Sequence, residues 1–230
     1  MILVCAPTRT EARACRRGLA EAHGRPVEVL RTGVGPARAA AALDARLRSG
    51  PRPSLVVSSG FAGALTPGIP RHALVTAATL QRLDPGAAAP VAIASHTLVV
   101  ATGALPCHVA SGPGVLIGGS TLVPAPAAVD MESAALAMAA AAAGIPVAVL
   151  RVVTDTPSAP FPPFAAALAD ALAARSPAAR LAAGARVLLG AIRRPLRAFA
   201  FARSGLAAAR TLRRAWSDRA RLEQLAEAAR

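Results

Sequence analysis

Short apolar runs alternate with Ala-rich, Arg-studded stretches through the first two thirds of the chain. Residues 2–6, Ile-Leu-Val-Cys-Ala, read as a strand buried on both faces. A helix is expected from Glu11 to about Ala22, with Thr10 placed to cap it and Gly24 and Pro26 to close it. Residues 27–30 form a second strand that runs into Arg31-Thr32-Gly33-Val34-Gly35-Pro36, followed by a helix over 37–47. Residues 53–58 form a third strand. Ser59-Gly60-Phe61-Ala62-Gly63-Ala64-Leu65 then reads as a turn of small residues, suited to close approach by a ligand or to a simple corner. Further strands are expected at 73–77, 91–94, 98–101 and 115–117. Residues 134–143 read as a helix ended by Gly144 and Pro146, and 147–153 as an apolar strand leading to Thr154-Asp155-Thr156-Pro157. Strands alternating with helices predict an α/β fold.

Beyond Pro157 the pattern changes. Residues 158–163 are a stiff Pro-rich connector. From Phe164 onward the chain is helical in pattern, rich in Ala, Leu and Arg, and broken near Pro177 and Pro195. Over 195–216, Leu196, Phe199, Leu206 and Leu212 interleave with Arg197, Arg203, Arg210, Arg213 and Arg214, just after Arg193 and Arg194. This is a basic amphipathic helix. It suits a solvated basic face packed on the domain or on a partner subunit. It also suits attachment to an anionic bilayer, where each exposed Arg contributes about 1 kcal/mol. The chain therefore divides into an α/β domain, 1–172, and a basic helical extension, 173–230.

Composition narrows the partners. The 230 residues suffice for one sizeable α/β domain. The net charge of +14 favours nucleic acid, an anionic membrane surface or an acidic substrate. Scarce aromatics give no stacking platform for RNA, so nucleic acid is not expected. Cys5, Cys15 and Cys107 are odd in number and widely spaced, with neither a disulfide framework nor metal-ligand spacing. Together with the lack of a signal peptide, they point to a reducing cytoplasm and to no metal. Residues 85–129 carry no Asp, Glu or Arg, but Pro90, Gly103, Pro106, Gly112 and Pro113 cut them into strand lengths, too short for a membrane span.

Candidate chemistry centres on Val129-Asp130-Met131-Glu132-Ser133. Ionised carboxylates are rarely buried without a partner or a task. The order acid pair, helix, strand, Asp155 brings the helix start and the strand end to one sheet edge, where open α/β folds bind their ligands. Bland readings exist for each acid: Asp130 as a helix N-cap, and Glu132 and Glu11 as first-turn acids facing the helix dipole. Gly33-Val34-Gly35 also fits a tight strand-to-helix turn. His72, His96 and His108 receive no role.

Taken in order, Glu11, Thr32-Gly33-Val34-Gly35, Ser59-Gly60-Phe61-Ala62-Gly63, Val129-Asp130-Met131-Glu132-Ser133 and Val152-Val153-Thr154-Asp155 resemble the nucleoside phosphorylase/nucleosidase superfamily. The set is most similar to its methylthioadenosine/S-adenosylhomocysteine nucleosidase branch, and there to the hopanoid-associated phosphorylases. The resemblance covers about residues 1–157, and Arg193-Arg194-Pro195-Leu196 extends it loosely into the tail. It implies a three-layer αβα sandwich about a central mixed sheet, at least a homodimer, and no organic cofactor. It implies cleavage of the N-glycosidic bond of a hydrophobic 5′-substituted adenosine such as adenosylhopane. In that role Glu11 activates water and Asp155 protonates the purine at N7. Asp130, Met131 and Glu132 bind substrate, the last two at the ribose, and Gly60, Phe61 and Ala62 line ribose and base.

The chemistry suits these residue types. Glycosidic cleavage passes through an oxocarbenium-like state, which a carboxylate beside the sugar stabilises. Adenine is a poor leaving anion, so an acid with a raised pKa must protonate it, while Glu11 stays ionised. Phosphorolysis needs a cationic clamp, and Ser58 stands where phosphorylases carry an arginine; Arg9 and Arg31 are the substitutes in view. Hydrolysis is therefore expected. Residues 116–129 are shorter than the segment that helps form the purine pocket in relatives, leaving Ser120 or Thr121 for base recognition. Competing readings are a soluble methylthioadenosine or futalosine nucleosidase, a phosphate-dependent phosphorylase, and a non-catalytic membrane- or nucleic-acid-binding module.

Overall fold

The computed structural model describes residues 1–22, 26–84, 91–93, 98–113, 123–162, 164, 167, 168, 171, 174 and 176–230. The expected strand at 115–117, Ser120, Thr121, His96 and the expected closing residue Gly24 lie outside the described residues.

Strand β1 (Ile2–Ala6) runs parallel between β2 (Val27–Arg31) and β3 (Leu55–Ala64). The three are joined by helices α1 (Arg9–Ala22) and α2 (Pro36–Ser49). β3 is the longest strand and the hinge of the sheet. It pairs in parallel with β9 (Val147–Asp155) and, at Gly63 and Ala64, antiparallel with β8 (Ala127–Asp130). β9 in turn pairs antiparallel with β4 (Leu74–Arg82), β4 parallel with β7 (Leu105–Ser111), and β7 parallel with β8. Strands β3, β8, β7, β4 and β9 thus close on themselves, and β1 and β2 extend the sheet as an open wing. β5 (Val91–Ile93) and β6 (Leu98–Val99) are short additions to β4 and β9.

One expected turn is a strand. Residues 59–65 continue β3 through Ala64, because β9 and β8 offer partners along that stretch. Its small residues leave room for the side chains beside them, Glu11 and Arg151 at Gly60 and Asp155 at Gly63. β7 and β8 were not anticipated: Pro106 and Pro126 hide two short strands whose pairing comes from distant segments. Helix α1 is capped by Thr8 and not by Thr10. The Thr8 Oγ1 accepts from the Glu11 N–H at 3.3 Å, and a Glu11 carboxylate oxygen accepts from the Thr8 N–H at 2.9 Å. This is a capping box, in which two orphan donors at the helix start are satisfied reciprocally.

Helices cover both faces of the sheet. α2 and α3 (Ser133–Ala142) bury Leu43 and Leu136 against Val56, Val147 and Val149 on one face. On the other, α1 packs with α5 (Pro195–Ser217) and α6 (Arg219–Glu227), burying Cys15, Leu212, Trp216 and Leu225 against Val57 and Leu150. The three-layer αβα arrangement about a mixed sheet is therefore present. The second half of α5 belongs to its core: Trp216 is fully buried and its indole N–H donates to Ser59 Oγ at 2.9 Å. Gly18 makes this docking feasible, since a Cβ there would stand 2.8 Å from Trp216 Cβ and closer still to the Arg213 carbonyl. Helix α4 (Pro177–Arg193) and the first half of α5 lie outside this packing.

Candidate active site

The site forms where β1, β3, β8 and β9 reach the edge from which α1 and α3 depart. At its centre is Arg151, an arginine in the middle of the otherwise apolar run 147–153 of β9, with no solvent exposure. Its Nε lies 2.8 Å from Asp130 Oδ2, an ion contact in which the N–H is not aligned for a hydrogen bond. Its Nη2 donates to Ser58 Oγ at 2.8 Å and to Ser133 Oγ at 3.1 Å, and lies 3.5 Å from Glu132 Oε2. Its Nη1 reaches the Phe61 carbonyl at 3.4 Å. Burial works against the guanidinium charge, but Asp130, Glu132 and Glu11 outweigh it and hold the pKa above its ordinary value.

Asp130 ends β8 and serves two groups. Its Oδ1 accepts from the backbone N–H of Glu132, the N-cap residue of α3, and of Ser133, at 3.2 and 3.1 Å, which fixes the turn leading into the helix; Oδ2 accepts from the Ser133 hydroxyl and faces Arg151. Met131 is half-buried beside it. Glu132 is buried, and its Oε1 accepts from the Gly35 N–H at 2.8 Å. Gly35 has φ +95°, a left-handed conformation that suits glycine. The start of α2, an anion-binding place by its dipole, is thus already taken by the Glu132 carboxylate. Burial pushes the Glu132 carboxyl up to about 7; Arg151 opposes this, and Asp130 and Glu11 add to it.

Glu11 reaches the cluster from α1. β1 pairs with β3 only as far as Ser58, which leaves the Phe61 N–H without a strand partner on that side. Glu11 Oε1 accepts it at 2.8 Å, while Oε2 stays with Thr8. Burial raises the Glu11 pKa, and Thr8, Arg151 and Phe61 pull it part of the way back. Gly60 is required here by space: a Cβ would meet the Glu11 carboxylate and come within 2.7 Å of Arg151 Nη1. Ala62 is buried and Phe61 half-buried alongside.

Asp155 stands apart from these three acids. An irregularity in the β3–β9 register skips Thr154, so that Asp155 pairs with Gly63. Its carboxylate occupies the space a Gly63 Cβ would need, at 2.7 Å. Its Oδ1 accepts from the Thr154 hydroxyl at 2.9 Å. Burial raises its pKa, and Thr154 and Arg71 offset part of the rise. Gly60 and Gly63 are three residues apart, about 10 Å along the strand. The structure therefore gathers Glu11, Asp130 and Glu132 around Arg151 and places Asp155 further along β3.

Arg151 has no role in the sequence reading, although a charged residue inside an apolar strand is itself a signal. Arg9 and Arg31 are exposed. Burial pushes the thiols of Cys5, Cys15 and Cys107 up to about 12, which leaves no thiolate nucleophile near neutrality. Among the described residues no cluster of His, Cys, Asp or Glu could hold a metal ion.

A family model for the Phosphorylase superfamily matches residues 123–184, the stretch that holds Asp130, Glu132, Arg151 and Asp155. No curated protein matches the chain. Among solved structures, the chain is similar to a Helicobacter pylori MTAN mutant with 5′-methylthioadenosine in its active site. The TM-score is 0.55 at 18% identity, over 69% of this chain and 87% of that one. It is similar to a mutant Chlamydia trachomatis MTAN bound to MTA, with TM-score 0.53 at 19% identity over 68% and 82%. A Helicobacter pylori futalosine hydrolase mutant gives 0.51 at 16% identity over 66% and 88%. The fold is shared with these nucleosidases.

Proposed function

We propose that this protein is a purine nucleosidase that cleaves the N-glycosidic bond of a 5′-substituted adenosine by hydrolysis. The observation that carries the reading is the buried cluster at the sheet edge, where one arginine faces three carboxylates. Such a site carries more acid than base. It favours positive charge developing on a ribose and disfavours a bound phosphate dianion. The family match over the acid-bearing segment and the fold shared with MTAN and futalosine hydrolase structures support the same reaction class.

In this mechanism Met131 and Glu132 hold the ribose, Asp130 fixes Arg151 and the start of α3, and Gly60, Phe61 and Ala62 line sugar and base. Glu11, tied at one oxygen to Thr8 and at the other to Phe61, polarises the attacking water. Asp155, with its carboxyl raised by burial, delivers a proton to the purine at N7. Water adds at the sugar carbon, the C–N bond breaks, and adenine leaves neutral. The substrate we assign is hydrophobic at its 5′ end, adenosylhopane being the specific proposal, with the protein acting in the cytoplasm as a homodimer.

Adenine release from adenosylhopane and from 5′-methylthioadenosine, followed by chromatography with and without phosphate, tests the proposal. The expected products are adenine and a free reducing sugar, at a rate phosphate does not change. Asp155→Asn is expected to lower the rate about 1,000-fold while leaving the melting temperature in place. Formation of a sugar 1-phosphate would assign phosphorolysis, and an unimpaired Asp155→Asn would remove Asp155 from the mechanism.

A further inference from the structure

We propose that the outward face of α4 and the first half of α5 is a docking surface for an anionic phospholipid bilayer. Only the identity of the substrate delivered there rests on the nucleosidase reading; the surface itself does not.

The charge pattern is one-sided. From residue 171 to residue 217 the chain has no Asp and no Glu. Arg186, Arg193, Arg194 and Arg197 are exposed and, among the described residues, face no carboxylate. Arg203 lies over the Phe199 ring at 5.8 Å. Apolar side chains stand among them in the open. On α4, Leu181, Leu188 and Ile192 recur at helical spacing along one side, each more than 60% exposed. On α5, Leu196, Phe199 and Leu206 also recur along one side, exposed by 58 to 84%. This stripe is not the side of α5 that builds the core, which presents Ser204, Ala208, Leu212 and Trp216.

A stripe of exposed leucine and phenylalanine flanked by arginines matches a membrane interface: the apolar groups enter the headgroup boundary and the guanidinium groups meet lipid phosphates. No helix among the described residues is long and apolar enough to cross a membrane, so the contact lies on the surface. A nucleic acid would satisfy the arginines and leave the apolar stripe in water. A second copy of the chain would bring like charges together.

The same helix touches the site. Ser204 Oγ accepts from Arg71 Nη2 at 2.6 Å and lies 3.0 Å from His72 Nε2. Arg71 Nε donates to the Thr154 carbonyl at 3.1 Å, one residue before Asp155. Ser204 is on the core side of α5, so a bilayer bound along the opposite stripe lies one helix thickness, about 10 Å, from the Asp155 end of the site. A nucleoside anchored in lipid by its 5′ substituent would be presented there.

Co-sedimentation of the full chain with vesicles of phosphatidylcholine alone, and with phosphatidylglycerol added, tests the surface. Binding is expected to the anionic vesicles and to weaken with salt. An Arg193→Gln, Arg197→Gln variant should bind about 25-fold more weakly, about fivefold per arginine. An Ile192→Ser, Phe199→Ser variant should bind at least tenfold more weakly, with an unchanged melting temperature because both side chains are exposed. Both variants should release adenine from water-soluble 5′-methylthioadenosine at the wild-type rate. Vesicle binding by a protein that releases no adenine at all would uphold the surface and remove the nucleosidase reading. Absence of anionic vesicle binding, equal binding to neutral vesicles, or binding to duplex DNA with none to vesicles would overturn the proposal. So would a dimer in sedimentation velocity that the Ile192→Ser, Phe199→Ser variant dissociates.

Discussion

Arg151 holds its place through partners from four elements: Asp130 at the end of β8, Glu132 and Ser133 at the start of α3, Ser58 in β3, and Glu11 through the shared field at the start of α1. Removing it leaves those carboxylates buried without a counter-charge. Arg151→Leu is expected to cost about 3–5 kcal/mol, read from a urea midpoint. Gly60→Ala acts differently. Its Cβ competes for space with the Glu11 carboxylate and Arg151, so activity should fall about 100-fold with a smaller change in stability. Glu132 gives a pH signature. Its folded pKa is raised from 4.5 to about 7, so the native state binds the extra proton between those values. Its contribution to stability is present below about 4.5 and is lost as pH rises through about 7. The unfolding free energy of Glu132→Gln, from urea titrations, should therefore gain on wild type across that window, by about 1–3 kcal/mol. The acids were legible as candidates because charge is scarce around them. Their common arginine was marked only as a charge interrupting the apolar run 147–153; which acids it meets was not legible, because those partners sit on β8, α3 and α1.

At the scale of elements, the α1–α5 contact decides how the second face of the sheet is closed. Gly18 leaves room for the backbone at Arg213 and for Trp216, whose indole reaches Ser59 in β3. Gly18→Val is expected to destabilise by about 1–3 kcal/mol through overpacking. Trp216→Ala should cost about 3–5 kcal/mol through the cavity it leaves, both read by thermal or urea unfolding. Strands β1, β2 and β9 and helices α2 and α3 could be placed from apolar runs and their Gly and Pro boundaries. β7 and β8 could not, because Pro106 lies inside the first and Pro126 just before the second, and their ladder partners come from other segments of the chain. The same holds for the second half of β3: Gly60 and Gly63 look like a turn until the side chains that fill their missing Cβ positions are seen.

For the whole molecule, the basic extension divides in two. Ala208, Leu212, Trp216 and Leu225 complete a core with α1 and β9, while α4 and the first half of α5 stay outside it. A chain ending at Arg193 should therefore fail to melt cooperatively, since it exposes that core face; calorimetry decides this. The sequence by itself determined that the protein is α/β, which few acids are candidates for its chemistry, and that its positive charge is concentrated in a helical tail. Those features rest on local pattern, and local pattern follows from residue periodicity and turn chemistry. Only the tertiary structure decided that five strands close on themselves, that Arg151 binds Asp130 and Glu132 together with Asp155 set apart, and which half of the tail helix is core. Each of those depends on contacts between residues 19 to 157 positions apart, about which neighbouring residues carry almost no information.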